Sequence, residues 1–205
     1  VTTARKPVLG LIGGIGAGKS TAAACLATRG GCVIDCDKLG HLALEQPDVK
    51  EKLRSRWSDA VFNADGAVNR KAVAGVVFDT PSERQWLEGV VFPVIGRLAD
   101  ERIRIADTAP AVRFSVLDAA VLLEAGWRDR CDKVLYVDAP REVRERRVLA
   151  RSGWTPADLT ARESAQWPSE RKKQHADAVV TNDGTREQLQ ERIDHVLTDW
   201  IGGDW

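Results

Sequence analysis

Gly13, Gly18, Lys19 and Ser20 satisfy the spacing G-x-x-x-x-G-K-[ST] within V-L-G-L-I-G-G-I-G-A-G-K-S-T, residues 8–21. Glycines at these positions let backbone N–H groups approach phosphate oxygens without side-chain interference, and a helix opening near Lys19 adds its positive dipole end. Lys19 is then placed to reach the β- and γ-phosphates of a nucleoside triphosphate, with the Ser20 hydroxyl on Mg²⁺, a hard cation that prefers oxygen. The expected contact stretch is Gly14, Ile15, Gly16, Ala17, Gly18, Lys19, Ser20 and Thr21.

Phosphoryl transfer to an alcohol needs a carboxylate to take the hydroxyl proton. In V-I-D-C-D, Asp37 is assigned that role, and Asp35 either holds a Mg²⁺-bound water or orients the substrate. The plainer alternative is a pair of loop carboxylates capping the next helix. Asp118 ends the apolar run V-R-F-S-V-L-D and has the position of a Walker-B carboxylate, acting on Mg²⁺ through water; Glu124 follows it. Arg141, Arg144, Arg146, Arg147 and Arg151 form a basic cluster. Most of it reads as a solvated helix face with Glu142 and Arg146 paired, whereas Arg151, at the start of a polar segment, is placed to fold over the triphosphate. His41, His175 and His195 are isolated from one another, and no metal is assigned to them.

These groups need a scaffold. Residues 8–12, 32–35, 112–118, 134–138 and 178–182 read as strands, and the stretches 20–28, 141–149 and 186–200 as helices. Alternation of this kind predicts a parallel sheet with helices on both faces and ligands at the strands' carboxyl ends. Residues 45–107 lack a clear strand and show helical periodicity over 48–57 and 82–104 with a turn at Ala64-Asp65-Gly66, which predicts a helical insertion. Residues 151–177, polar and holding Gly153, Pro156 and Pro168, predict a lid. The core is then 1–44, 108–150 and 178–205.

With 205 residues one main core is expected. Lys+Arg equals Asp+Glu at 30 each, so nothing global points to nucleic acid or a membrane. No apolar run reaches transmembrane length and the N-terminus lacks a signal-peptide core, which predicts a cytoplasmic protein. Cys25, Cys32, Cys36 and Cys131 read as buried thiols, and Trp57, Trp86 and Trp200 as core residues.

Together, G-G-I-G-A-G-K-S-T and the following V-I-D-C-D resemble the dephospho-coenzyme A kinase family, and the likeness runs through nearly the whole chain. The family pattern D-G-x-h-x-R with a later Phe is similar to Asp65, Gly66, Val68, Arg70 and Phe78. P-L-L-F-E is similar to residues 120–124, preceded by Asp118. The lid pattern is similar to Arg151, Arg162, Gln166, Lys172, Ala176, Asp177, Val179 and Asn182. The resemblance implies a P-loop kinase fold, a three-layer α/β/α unit with a five-stranded parallel sheet, a helical substrate-binding insertion and a lid. It implies transfer of the γ-phosphate of ATP to the ribose 3′-hydroxyl of dephospho-coenzyme A, with Mg²⁺ as cofactor. Lys19, Asp37 and Arg151 would be catalytic. Asn182 would join the ATP site, and Asp37, Arg70, Asp118, Glu124 and Arg162 would bind the acceptor. A monomer or weak homo-oligomer is expected. Two departures stand out: Phe92-Pro93-Val94 replaces His-Pro-Leu, and Ala120 replaces a proline within L-D-A-A-V-L-L-E-A-G-W, a string that resembles the kinase part of the animal-type bifunctional coenzyme A synthase. The chain is too short for the adenylyltransferase part, so a single activity is expected. A shikimate-kinase-like enzyme would share the loop and the D-x-D pair, but the long insertion and the lid pattern argue against it. The carboxylate pair argues against a nucleotide switch.

Overall fold

A strand buried on both faces belongs at the centre of a parallel sheet, and residues Val8–Gly13 are buried at every position. The fold is given by a computed structural model that describes residues 5–78, 80–152 and 154–203, without the side chains of residues 151 and 152. In chain order the elements are β1 (Val8–Gly13), α1 (Lys19–Thr28), β2 (Gly31–Asp35), α2 (Cys36–Leu44), α3 (Pro47–Trp57), a 3₁₀ turn at Ser58–Val61, α4 (Arg70–Phe78), α5 (Pro81–Thr108), β3 (Phe114–Asp118), a 3₁₀ turn at Arg128–Arg130, β4 (Lys133–Asp138), α6 (Arg141–Ser152), α7 (Pro156–Ser164), α8 (Ser169–Gln174), β5 (Ala178–Thr181) and α9 (Arg186–Ile201).

The five strands form a parallel sheet in the order β2-β3-β1-β4-β5. Strand β1 pairs with β3 through Leu11↔Asp118 and with β4 through Gly13↔Val137. The chain runs out to one edge of the sheet, returns beside β1 and then crosses to the other side, so the carboxyl end of β1 is a topological switch point. Alternation along the strands sends Leu9, Leu11, Phe114, Val116, Leu135, Val137 and Val180 to one face, where α1 and α9 cover them with Ala22, Leu26, Leu189, Ile193 and Leu197. Thr185 and Gln188 close a capping box at the start of α9, which fixes where that helix begins. Arg29 of α1 and Asp194 of α9 add two hydrogen bonds of 2.8 Å across the helix pair.

The chain divides into two compact units. One holds the sheet and includes the described residues up to Ile34 and from Arg102 onward; the other is Asp35–Glu101. Within the second unit, Trp57 and Trp86 meet edge to face at 5.0 Å, and Glu83 accepts hydrogen bonds from Trp57 Nε1 at 2.7 Å and from Arg56 at 2.7 and 3.1 Å. The turn at residues 64–66 lets Phe62 and Val68 form an antiparallel bridge, with Asp65 accepting from the Ala67 N–H at 2.9 Å. Helices α2, α4, α7 and α8 were not anticipated individually from the sequence. Among the described residues, Cys25, Cys36 and Cys131 are buried and Cys32 is half-buried, and burial pushes the Cys131 thiol up to about 12. No helix of the described residues is long and apolar enough to cross a membrane.

Candidate active site

The loop after β1 turns on glycines that other residues could not replace. Gly16 sits at φ 79° and Gly18 at φ 90°, both in the left-handed region. A Cβ on Gly16 would lie 2.7 Å from the Arg144 carbonyl oxygen, and one on Gly18 would collide with the Asn182 amide. Gly18 caps α1 without a side chain, which leaves that helix start open to an anion supplied from outside. The loop is braced from behind. The Ala17 N–H donates to the Gly14 carbonyl at 3.0 Å, and buried Asn182 donates through Nδ2 to the Ala17 carbonyl at 2.8 Å. Asn182, expected in the nucleotide site, therefore has a bracing contact on the loop itself.

Lys19 opens α1 and Asp118 closes β3, one strand away from β1. Lys19 Nζ donates to Asp118 Oδ1, and the two side chains are only 18% and 12% exposed. The sequence assigned the lysine to phosphate and the carboxylate to Mg²⁺; the fold brings them into direct contact. Ser20 is exposed at the second position of α1. Its hydroxyl and the Asp118 carboxylate are hard oxygen donors, a set that suits Mg²⁺ better than a softer metal.

Helix α6 leaves Arg141 and Arg146 exposed, as a solvated face does, but turns Arg144 inward. Arg144 is 11% exposed, donates through Nη1 to the Ile15 carbonyl of the phosphate loop at 3.1 Å and pairs with Glu163 of α7. Arg147 makes a longer contact of 3.4 Å to the Ala17 carbonyl. Among the described residues of this helix, Arg141 pairs with Glu145 at i,i+4, at 2.7 Å, and no Glu142–Arg146 pair is seen. Sequence reasoning missed Arg144 because charge on a helix reads as solvent-facing. The surrounding glycines, which admit close approach of another backbone, were the available signal. The Arg151 side chain lies outside the described residues.

Residues of the expected lid form a second node. Lys172 of α8 is 2% exposed and donates to the Ala120 carbonyl at 2.6 Å and to Gln166 Oε1 at 3.0 Å, while its ammonium lies 2.9 Å from Glu124. Glu124 Oε1 also accepts from the Trp167 N–H at 2.8 Å. Glu124, expected at the acceptor, thus sits in a buried ion pair that fixes α8 to the segment after β3, and its Oε2 is buried without a hydrogen-bond partner among the described residues. Lys173 pairs with Asp138 at the end of β4 at 2.8 Å, and that hydrogen bond raises the lysine's pKa. Arg162 lies over the Trp154 ring at 4.2 Å. A cleft of 310 Å³ opens between the phosphate loop and these helices, lined by Gly14, Ile15, Arg141, Arg144, Gln166 and Lys172 with others.

In the second unit, Asp35 is the N-cap of α2 and accepts from the Lys38 N–H at 3.0 Å, with Lys38 Nζ 3.3 Å away. Asp35 thus caps α2 with one carboxylate oxygen. Asp37 is exposed in the first turn of the same helix, one peptide beyond Cys36, and Arg70 is exposed at the first position of α4. A cation at a helix start opposes the dipole, so Arg70 gains nothing from its own helix.

Comparison with known proteins gives a consistent result. A sequence model of the family described as dephospho-CoA kinase matches residues 7–188. The chain is 39% identical to the dephospho-CoA kinase of Thermus thermophilus, covering 96% of this chain and 93% of the relative, and 36% identical to that of Geobacter sulfurreducens, covering 92% and 96%. A crystal structure of a Thermus thermophilus protein superposes with a TM-score of 0.82 at 38% identity, covering 97% of this chain and 100% of that one. A shikimate kinase from Acinetobacter baumannii, at 14% identity and TM-score 0.53 with 96% of each chain covered, shares the fold alone.

Proposed function

The chain belongs to the dephospho-CoA kinase family, and we infer from that membership and from the loop after β1 that it transfers the γ-phosphate of ATP to the ribose 3′-hydroxyl of dephospho-coenzyme A. The observation that carries this reading is the Lys19–Asp118 pair at the switch point of the sheet, beside a helix start that no side chain caps. Cation, carboxylate and open N–H groups converge where a P-loop kinase handles phosphate.

The residue roles follow from chemistry. Backbone N–H groups of residues 14–21 hold the triphosphate, and Lys19 turns from Asp118 toward the β- and γ-phosphate oxygens as negative charge arrives. Ser20 would hold Mg²⁺, with Asp118 or Asp35 acting through water, and the cation would supply neutralisation of the phosphate charge. Asp37, exposed and acceptor-only when ionised, takes the 3′-hydroxyl proton as the new P–O bond forms and the γ-phosphorus separates from the bridging oxygen, which leaves with ADP. Arg151 meets the migrating phosphoryl group, where a guanidinium is worth most in the transition state. Arg70 and Arg162 serve the acceptor's anionic groups, Asp118 accepts from one of its hydroxyls, and Glu124 contributes by holding α8. Asn182 keeps the loop in shape for ATP. Small molecules are the partners in this reading, which takes the enzyme as a cytoplasmic monomer or weak homo-oligomer.

The test is the product. Incubation with ATP, Mg²⁺ and dephospho-coenzyme A should give a species heavier by one phosphoryl group, with ³¹P coupled to the ribose H3′. Phosphate on another position would reject the acceptor chemistry while keeping the kinase.

A further inference from the structure

Arg144 touches the phosphate loop at several points. Its Nη1 donates to the Ile15 carbonyl at 3.1 Å, its own carbonyl lies 2.7 Å from where a Cβ on Gly16 would stand, and its side chain passes 3.5–3.6 Å from the corresponding point on Gly14. The same guanidinium is held by Glu163 Oε1 of α7, and Glu163 Oε2 lies 3.4 Å from Arg141 Nη1. With Arg144 only 11% exposed and Glu163 24% exposed, the pair is largely shielded from solvent, which strengthens the charge-assisted bond. Thr155 and Asp158 fix the start of α7 with a capping box, which sets the rotational position at which Glu163 emerges from that helix.

We propose that Arg144 is a positioning residue for the phosphate loop and that Glu163 makes its action depend on the docking of α7. The guanidinium has a fixed fork of donors. Both contacts leave one nitrogen, Nη1, whose two N–H groups the guanidinium plane holds in fixed directions: when Glu163 takes one, the other is aimed at Ile15, and the loop carbonyl is held away from the phosphates. When α7 departs, the carboxylate leaves with it and the fork is free to turn. Closure of the lid and shaping of the triphosphate cradle are then one event, carried by one side chain. This inference rests on the kinase reading above, but it concerns ATP handling and not the acceptor.

The experiment is steady-state kinetics on the full chain with the KM for ATP and the KM for dephospho-coenzyme A measured separately, for wild type, Arg144→Ala, Arg144→Lys, Glu163→Gln and the double variant Arg144→Ala/Glu163→Gln. Melting temperatures and binding of a fluorescent ATP analogue are read beside them. Arg144→Ala should raise the KM for ATP about tenfold and leave the KM for dephospho-coenzyme A within about twofold. Glu163→Gln should raise the KM for ATP about threefold, and the double variant should be no worse than Arg144→Ala, because both changes act through one contact. Arg144→Lys should rescue only in part, since the ammonium has enough donors for both contacts but no planar frame to fix their directions. Additive effects, equal effects on both substrates or an unchanged KM for ATP would each overturn the proposal. A poorly folded Arg144→Ala would leave Glu163→Gln and Arg144→Lys to decide it. A wild type that transfers no phosphate would reject the kinase reading instead, and the ATP-analogue affinities would still read the coupling.

Discussion

Lys19 Nζ, at the first position of α1, donates to Asp118 Oδ1 at the last position of β3, joining the phosphate loop to the neighbouring strand. Each side chain is mostly buried, so each offsets part of the other's desolvation cost. The pair holds the ammonium near the place where a γ-phosphate would compete for it. Lys19→Ala should lower kcat/KM about 10²–10³-fold, the loss typical of one transition-state donor. Asp118→Asn should lower kcat by a similar order while the KM for ATP changes little. Steady-state rates at varied ATP check both, and an unaffected Lys19→Ala would contradict the phosphate-loop assignment.

Asp37→Asn keeps the volume of the side chain and removes its capacity to take a proton. Turnover should fall about 10²–10⁴-fold with ATP affinity retained. Equilibrium ATP binding beside kcat makes the check, and near-normal turnover would move the base to another residue.

Lys172 is buried against Glu124, Gln166 and the Ala120 carbonyl, so Lys172→Ala leaves the Glu124 charge without its partner. Breaking such a pair costs about 3–5 kcal/mol. In a chain of this size that lowers Tm by roughly 6–20 °C, measured calorimetrically. Pairing Lys172→Met with Glu124→Gln should recover part of the loss, because no unpaired charge is then buried.

Asp194 is held below the usual carboxylate range, first by its hydrogen bonds from Arg29, and it ties α9 to α1. The folded pKa lies below the unfolded one, so this contribution is present above the ordinary carboxylate value of about 4 and is lost as pH falls through the folded pKa. Asp194→Asn should cost about 1 kcal/mol at neutral pH, and the difference from wild type should vanish in acid denaturation curves taken well below about pH 4.

Strands were legible because apolar runs with carboxylates at their ends have few other readings, and the strand starts and ends differ from expectation by two residues at most. The loop was legible because its glycines and Lys19 are local. Helix α2 was not, since V-I-D-C-D reads equally as a strand running into a loop; what starts the helix is Asp35 capping the Lys38 N–H. Arg144 was hidden for another reason. Its partners Ile15 and Glu163 are 129 and 19 residues away, and only the fold brings them together. Glu124 was marked by its place after Asp118, but its partner Lys172 comes from a helix 52 residues beyond Ala120, too far for spacing to reveal a buried pair.

The most direct measurement is ADP release with ATP and Mg²⁺ in the presence of dephospho-coenzyme A, shikimate, a nucleoside monophosphate or no acceptor. Release that requires dephospho-coenzyme A is the predicted result. Release driven by a different acceptor, or ATP binding with transfer to none, would contradict the account.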